Sequence, residues 1–435
     1  MHIAVAGTGY VGLVTGVCLA EVGHNVICVD MDESKIISMK AGISPIYEQG
    51  LEQLLKKNLE SGNLDFTTDY KKAYRDVDAI LIGVGTPEKE DGSANLEHLY
   101  RVCEQIATSI TKDCLVVIKS TVPIGTNEKI DEYFREVLNK EIKVEVASNP
   151  EFLAQGSAVK DTLNASRIVI GVESERAGET LHKIYEKFEL PIVVTSRRNA
   201  EMIKYASNDF LALKISYMNE IANFCELIGA NVDEVALGMS LDPRIGERFL
   251  NAGIGYGGSC FPKDTKALYW LGNEYGYEFK TIKATIEVND SQKYRIYQQI
   301  RRRFQNLKGV KIAVLGLTFK PETDDLREAP SIVNVKQLLA DGAILTAYDP
   351  AGTKNFRKLM SDENLCYANS PIDALQDAQI ALIFTEWKDI KALTPNEFKK
   401  AMKNPIIYDG RNCYEVVSFI DTGVEYHSIG RKSVK

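Results

Sequence analysis

Long apolar runs, grouped histidines and paired cysteines are all missing from this 435-residue chain. Each absence excludes something. No apolar stretch approaches the length of a membrane span. The five histidines (2, 24, 98, 182 and 427) show no HxH or HExxH grouping, which argues against a metal centre. The eight cysteines (18, 28, 103, 114, 225, 260, 366 and 413) show no CxxC spacing and mostly stand in apolar runs, as reduced thiols do. Basic blocks are scarce too. Charged residues make up 26% with a formal net charge of -8, so nucleic acid and anionic membrane are poor partners. Small anionic ligands stay open, because local lysines and helix N-termini decide their binding. The first strand begins at His2, which leaves no room for a secretion signal, and the cytoplasm is the expected location.

What is present begins with length: 435 residues exceed what one hydrophobic core serves, so two or three domains are expected. Short β-branched runs at His2–Ala6, Asn25–Val29, Ala79–Gly83, Leu115–Ile118, Lys143–Ala147, Arg167–Gly171 and Pro191–Thr195 alternate with helical patterns. They predict a doubly wound α/β domain with a parallel sheet over residues 1–196. Between 197 and 300 the strand signal disappears. Met202, Ala206, Phe210, Leu213, Tyr217, Ile221, Phe224 and Ile228 recur at spacings of three and four, predicting a long helix in a helical middle domain. Its apolar surface suits a dimer interface. From 301 to 435 the α/β pattern restarts, with strands at Lys311–Gly316, Ile344–Tyr348, Ile380–Phe384, Pro405–Tyr408 and Val424–His427. Asp349 ends the second of them, echoing the first domain, so a second Rossmann-like unit is expected.

Gly7-Thr8-Gly9-Tyr10-Val11-Gly12 follows the first strand and opens a helix. In that context the first glycine permits a tight turn, the second lets a pyrophosphate approach the backbone, and the third lets helix pack on strand. Asp30 ends the next strand about twenty residues on, where a carboxylate accepts ribose hydroxyls and repels a 2′-phosphate. NAD is therefore favoured over NADP, with Lys35 slightly weakening the preference. Thr86 and Thr121 end two further strands, each near a proline, and should line the same cleft. Turn chemistry alone is the plainer explanation for both.

Gly255-Tyr-Gly-Gly-Ser-Cys260-Phe-Pro-Lys-Asp264 sets a cysteine in a glycine-rich turn, with Lys263 and Asp264 just beyond. A cysteine there is commonly a small packed hydrophobe. Beside a nicotinamide site it instead suggests oxidation through a covalent thiohemiacetal, the lysine favouring thiolate. Lys204 and Asn208 lie one turn apart on the long helix, and Glu151 follows another strand of the first sheet.

These segments, together with Phe319-Lys-Pro-Glu-Thr-Asp-Asp-Leu-Arg-Glu-Ala-Pro330, resemble the UDP-glucose 6-dehydrogenase family over essentially the whole chain. The resemblance implies oxidation of the C6 alcohol of UDP-glucose to a carboxylate with two successive NAD molecules and covalent intermediates on Cys260. It implies oxyanion stabilisation by Lys204 and Asn208, proton handling by Asp264 with Thr121, and help in thioester hydrolysis from Glu151. Substrate contacts are implied for Glu151, Phe152, Leu153, Lys204, Asn208, Arg244, Phe249, Leu250, Asn251, Ala252, Gly253, Gly257 and Lys320. The cofactor side is implied for Gln155, where the family usually has Glu, and for Lys263 and Arg327. In the family the arginine matching Arg244 can come from a neighbouring subunit, consistent with a homodimer. GDP-mannose 6-dehydrogenase and UDP-N-acetylmannosamine dehydrogenase remain alternatives, although Phe261 after the cysteine leans toward the glucose branch. A two-electron 3-hydroxyacid dehydrogenase would have no use for Cys260, and a silent nucleotide-sugar sensor none for the full set of catalytic groups.

Overall fold

The computed structural model describes residues 1–139 and 141–435 and divides into two units, Met1–Ser207 and Asn208–Lys435. In the first unit β1 (His2–Ala6), β2 (Asn25–Val29), β3 (Leu64–Thr67), β4 (Ala79–Ile82), β5 (Cys114–Ile118), β6 (Val144–Ser148), β7 (Ile168–Gly171) and β8 (Ile192–Thr195) form one sheet, ordered β3-β2-β1-β4-β5-β6-β7-β8. β4 and β5 are buried at every position, as a sheet covered on both faces demands. Two apolar layers flank it. One holds Leu13, Val17 and Leu51, the other Leu99, Ile106 and Phe134.

Two features depart from the sequence expectation. β3 escapes notice because it is an edge strand of alternating burial, Leu64 and Phe66 inward and Asp65 outward, so it makes no continuous apolar run. The sheet is also not wholly parallel: β7 pairs antiparallel with β6 through Ser148 and Gly171. Those two residues end their strands, so the chain between them stays at the carboxyl end of β6 and makes no return crossover. The start of that stretch, which includes Glu151 and Gln155, thereby follows the carboxyl end of β6, on the rim where ligands of this fold class bind.

The second unit contains helices Val232–Ser240, Phe261–Glu274, Lys280–Lys293 and Arg295–Arg303 and a six-stranded parallel sheet. Its strands are β9 (Lys311–Leu315), β10 (Ile344–Tyr348), β11 (Leu365–Tyr367), β12 (Ile380–Ile383), β13 (Ile406–Asp409) and β14 (Glu425–Ser428), ordered β11-β10-β9-β12-β13-β14. This repeats the order of the first six strands of the other sheet. The expected echo of the N-terminal unit is real, and the missed strand, β11, again occupies the edge beside β10. The chemistry is not repeated. The Asp349 carboxylate accepts bonds from the Leu317 and Thr318 amides (2.7 and 3.0 Å), the Gly352 amide (2.6 Å) and the Trp387 indole (3.0 Å), so it is consumed inside the protein.

The helix Arg197–Ile228 runs from the first unit into the second. Its apolar stripe faces outward: Phe210, Tyr217 and Phe224, seven residues apart, are 61%, 50% and 56% exposed. The buried side carries Glu201, Lys204, Asn208, Asp209, Ser216 and Asn219. The same side also buries Tyr205, Ala212, Met218, Ala222 and Cys225, so the inward face is mixed, and what departs from the usual surface helix is the apolar stripe left exposed.

Candidate active site

In the first unit the turn after β1 has the form a dinucleotide needs. Gly7 has φ +92°, a value that suits glycine. A Cβ added at Gly12 would stand 2.0 Å from the Gly7 carbonyl oxygen, whereas one at Gly9 would meet nothing within 4 Å. Gly12 is thus required by packing and Gly9 leaves room for a ligand. The helix Tyr10–Glu21 begins there with no side chain capping it, so its positive end faces that room. Asp30 is steadied by the Thr8 amide (3.0 Å) and the Asp32 amide (3.0 Å), with the Lys35 ammonium 3.9 Å away. These residues fit NAD: a backbone cradle for pyrophosphate and a carboxylate for ribose hydroxyls.

The loops after β4 and β5 are stapled together. The Thr86 hydroxyl donates to the Thr121 carbonyl (2.8 Å), and the Ser120 hydroxyl to the Val84 carbonyl (2.6 Å). Glu201, which sequence reasoning missed, fixes the rest of that loop by accepting from the Gly125 and Asn127 amides at 2.6 and 2.9 Å. The Thr86 hydroxyl is thus engaged between the two loops, and its bond sets where Thr121 stands.

Beyond β6, the Lys204 ammonium donates to the Glu151 carbonyl (2.7 Å) and carboxylate (2.8 Å), the two side chains being 3% and 6% exposed. The other Glu151 oxygen accepts from the Leu153 amide at 2.8 Å. Phe152 lies under the same ammonium, with the Arg167 guanidinium 3.9 Å from its ring. Gln155 is buried nearby in sequence, beside Gly156 and Ala158, whose amides bond Glu48. A second buried lysine, Lys119, bonds the Asn149 side-chain oxygen at 3.0 Å. Burial pulls its ammonium down to about 8, opposed by the charge of Glu151 and reinforced by that of Lys204. The one sequence signal for it was a lysine closing a strand of purely apolar residues.

In the second unit Cys260 is partly exposed at the N-cap of the helix Phe261–Glu274, and its carbonyl accepts the Asp264 amide at 2.8 Å. A helix N-terminus favours a thiolate. Lys263 holds the Asp264 carboxylate at 2.5 Å, while the Asn208 amide donates to its other oxygen at 2.7 Å. Asp264 itself is 1% exposed. The glycines of the turn are closely packed: a Cβ at Gly257 would lie 2.5 Å from the Glu328 carbonyl oxygen, and one at Gly258 2.7 Å from the Phe319 ring. The Gly258 amide also bonds the Arg327 carbonyl at 2.7 Å.

The remaining residues vary. Leu250 and Ala252 are packed in a core cluster, and the Gly253 amide bonds Asn219 at 2.8 Å, so this run can offer a ligand mainly backbone and Asn251. Phe249 takes φ +65° and lies across from Phe261. Arg244, its side chain 87% exposed, forks onto Asp242 (2.6 Å); Arg327 does the same on Asp325 (2.6 Å). The Lys320 ammonium lies 5.6 Å from the centre of the Phe319 ring.

Family models of the UDP-glucose/GDP-mannose dehydrogenases match in chain order, the NAD binding domain over residues 1–189, the central domain over 198–291 and the UDP binding domain over 313–416. The chain belongs to this family. UDP-glucose 6-dehydrogenase YwqF of Bacillus subtilis (strain 168) is 48% identical over 434 residues, covering 100% of this chain and 98% of its own. UDP-glucose 6-dehydrogenase of Rhizobium meliloti (strain 1021) is 46% identical over 99% of this chain and 100% of its own. The solved UDP-glucose dehydrogenase of Pyrobaculum islandicum superposes with a TM-score of 0.89 at 37% identity, covering 94% of each chain. Membership makes this dehydrogenase an NAD-dependent oxidoreductase. Among the described residues no helix is long and apolar enough to cross a membrane, and no cluster of potential metal ligands occurs.

Proposed function

We propose that this enzyme oxidises the C6 alcohol of UDP-glucose to the carboxylate of UDP-glucuronate, with Cys260 as covalent anchor. The observation that carries the reading is the Cys260 thiol at the amino end of a 14-residue helix, one turn before a buried Asp264 already held by two donors. A two-electron alcohol dehydrogenase needs no such thiol. The names of the similar curated proteins favour UDP-glucose over the mannose alternatives.

NAD, when bound, supplies hydride acceptance from C6 in each of two oxidations. The chain's own residues do the rest. Lys204 and Asn208 stabilise negative charge on the C6 oxygen. Cys260 sulfur adds to the aldehyde carbon, which keeps the half-oxidised sugar bound as a thiohemiacetal. Once oxidised to the thioester, that carbon is attacked by water; the C–S bond breaks and the thiol is restored. Asp264, with Thr121, passes protons outward, and Glu151 assists the water. Each sugar consumes one water and two NAD and releases two NADH and three protons.

Phe152, Leu153, Arg244, residues 249–253, Gly257 and Lys320 hold the nucleotide sugar in this reading, and Gln155, Lys263 and Arg327 the cofactor side. The layout is three-part: 1–196 for NAD, 197–300 helical, 301–435 for UDP. A homodimer completes it, supported by the exposed stripe on Arg197–Ile228 and by the exposed Arg244. Complete conversion of limiting UDP-glucose should give about two NADH per sugar. One NADH with free aldehyde ends the covalent mechanism, and faster turnover of GDP-mannose or UDP-N-acetylmannosamine moves the substrate assignment.

A further inference from the structure

Asp209 follows Asn208 on the long helix and is 5% exposed, yet neither carboxyl oxygen has a hydrogen-bond partner among the described residues. The helix Phe261–Glu274 presents Asp264 and Lys263 to it, the glycine turn contributes Tyr256, and Tyr205 stands one turn earlier on its own helix. Two of the nearby donors serve the other acid: Lys263 bonds one Asp264 oxygen at 2.5 Å and Asn208 the second at 2.7 Å. An ionised carboxylate buried without a donor, beside a second carboxylate, is costly, and such a group relieves the cost by keeping its proton. Burial first, and the charge of Asp264 second, push the Asp209 carboxyl up to about 8.

We propose that Asp209 is a protonated acid in the working enzyme and the positioning partner of Asp264, so that the pair carries one negative charge and Asn208 with Lys263 fixes that charge on Asp264. The inference rests on the proton-handling role given to Asp264 above. Its first consequence is that Asp264 stays the base of the pair through each turnover. Its second is that loss of the Asp209 proton in alkali places a second charge beside Asp264 and raises the proton affinity of that residue. The two titrate as a unit, giving the pH profile of kcat/KM an alkaline inflection that belongs to the pair. Stability follows in sign. A carboxyl whose folded value lies above its unfolded one stabilises fully below the unfolded value, near 3.9, and loses that contribution as pH rises through the folded value.

The test uses the full-length enzyme and its Asp209→Asn variant. Infrared difference spectra, wild type minus variant, should show a protonated-carboxyl carbonyl band at pH 7 that falls about tenfold by pH 9, as a group titrating near 8 requires. The alkaline inflection in kcat/KM for UDP-glucose should be present in the wild type and absent from Asp209→Asn. No such band at pH 7, or superimposable pH profiles, overturns the proposal. Should Asp209→Asn fail to fold, Asp209→Ser gives the same comparison. A titrating band in a protein that does not oxidise UDP-glucose supports the protonated Asp209 while refuting the assigned reaction.

Discussion

Replacing Lys204 by Met keeps the aliphatic stem and removes the ammonium, which tests the buried pair with Glu151 directly. The two side chains are 3% and 6% exposed, so the orphaned carboxylate cannot be rescued by bulk water. Breaking one partner of such a pair costs about 3–5 kcal/mol. A glutamate limits this cost by taking up a proton. From the ordinary glutamic acid value near 4.3 to pH 7 is about 2.7 units, or roughly 3.7 kcal/mol. Lys119 remains nearby as a second cation and holds the cost toward the lower limit, about 3 kcal/mol. The loss should shrink by about 1.4 kcal/mol per unit as pH falls toward 5, since protonation then becomes easier. Urea denaturation of Lys204→Met at pH 7 and pH 5 measures both numbers. The double variant with Glu151→Gln should regain most of the stability and none of the activity, separating folding from the catalytic roles proposed for this pair. A pH 7 difference within about 0.5 kcal/mol of wild type, the scatter of ordinary surface substitutions, would refute the reasoning.

Cys260→Ala removes the proposed covalent anchor while leaving the NAD turn and Lys204 in place. Calorimetry should find UDP-glucose and NAD affinities within a fewfold of wild type, with uronate formation lost; near-normal turnover would make Cys260 a packing thiol. Placing Glu at both Phe210 and Phe224 adds charge to the exposed stripe on Arg197–Ile228. Sedimentation should then report a dimer for wild type and a monomer for the variant, and an unchanged mass would free that face of the proposed role.

Much of the fold was legible because buried parallel strands are written as apolar runs. β4, β5 and β12 are inward at every position, and each was found from the sequence. The edge strands β3 and β11 were not, because one side of an edge strand meets solvent and its pattern thins to two or three apolar residues. The long helix was found from its periodicity, but the periodicity marked the exposed face. The buried face was harder to see because it mixes apolar residues such as Met218 and Ala222 with polar ones, among them Lys204, Asn208 and Asp209, which look like solvent residues until their surroundings are known. Cys260, Lys204, Asn208 and Asp264 could be named from motif resemblance. Lys119, Glu201 and Asp209 could not, since their significance lies in burial and in what does or does not bond them.

The turn that carries Cys260 and the segment Phe319–Glu328 are interlocked at backbone level, glycine against ring and glycine against carbonyl. A chimera cut near residue 300, with the last sheet taken from a relative of different nucleotide preference, would split that joint and shift the nucleophile along with the specificity. Engineers recombining these enzymes should therefore treat Gly257–Cys260 and Phe319–Glu328 as one inherited cassette, and natural recombination at that boundary is expected to leave few survivors.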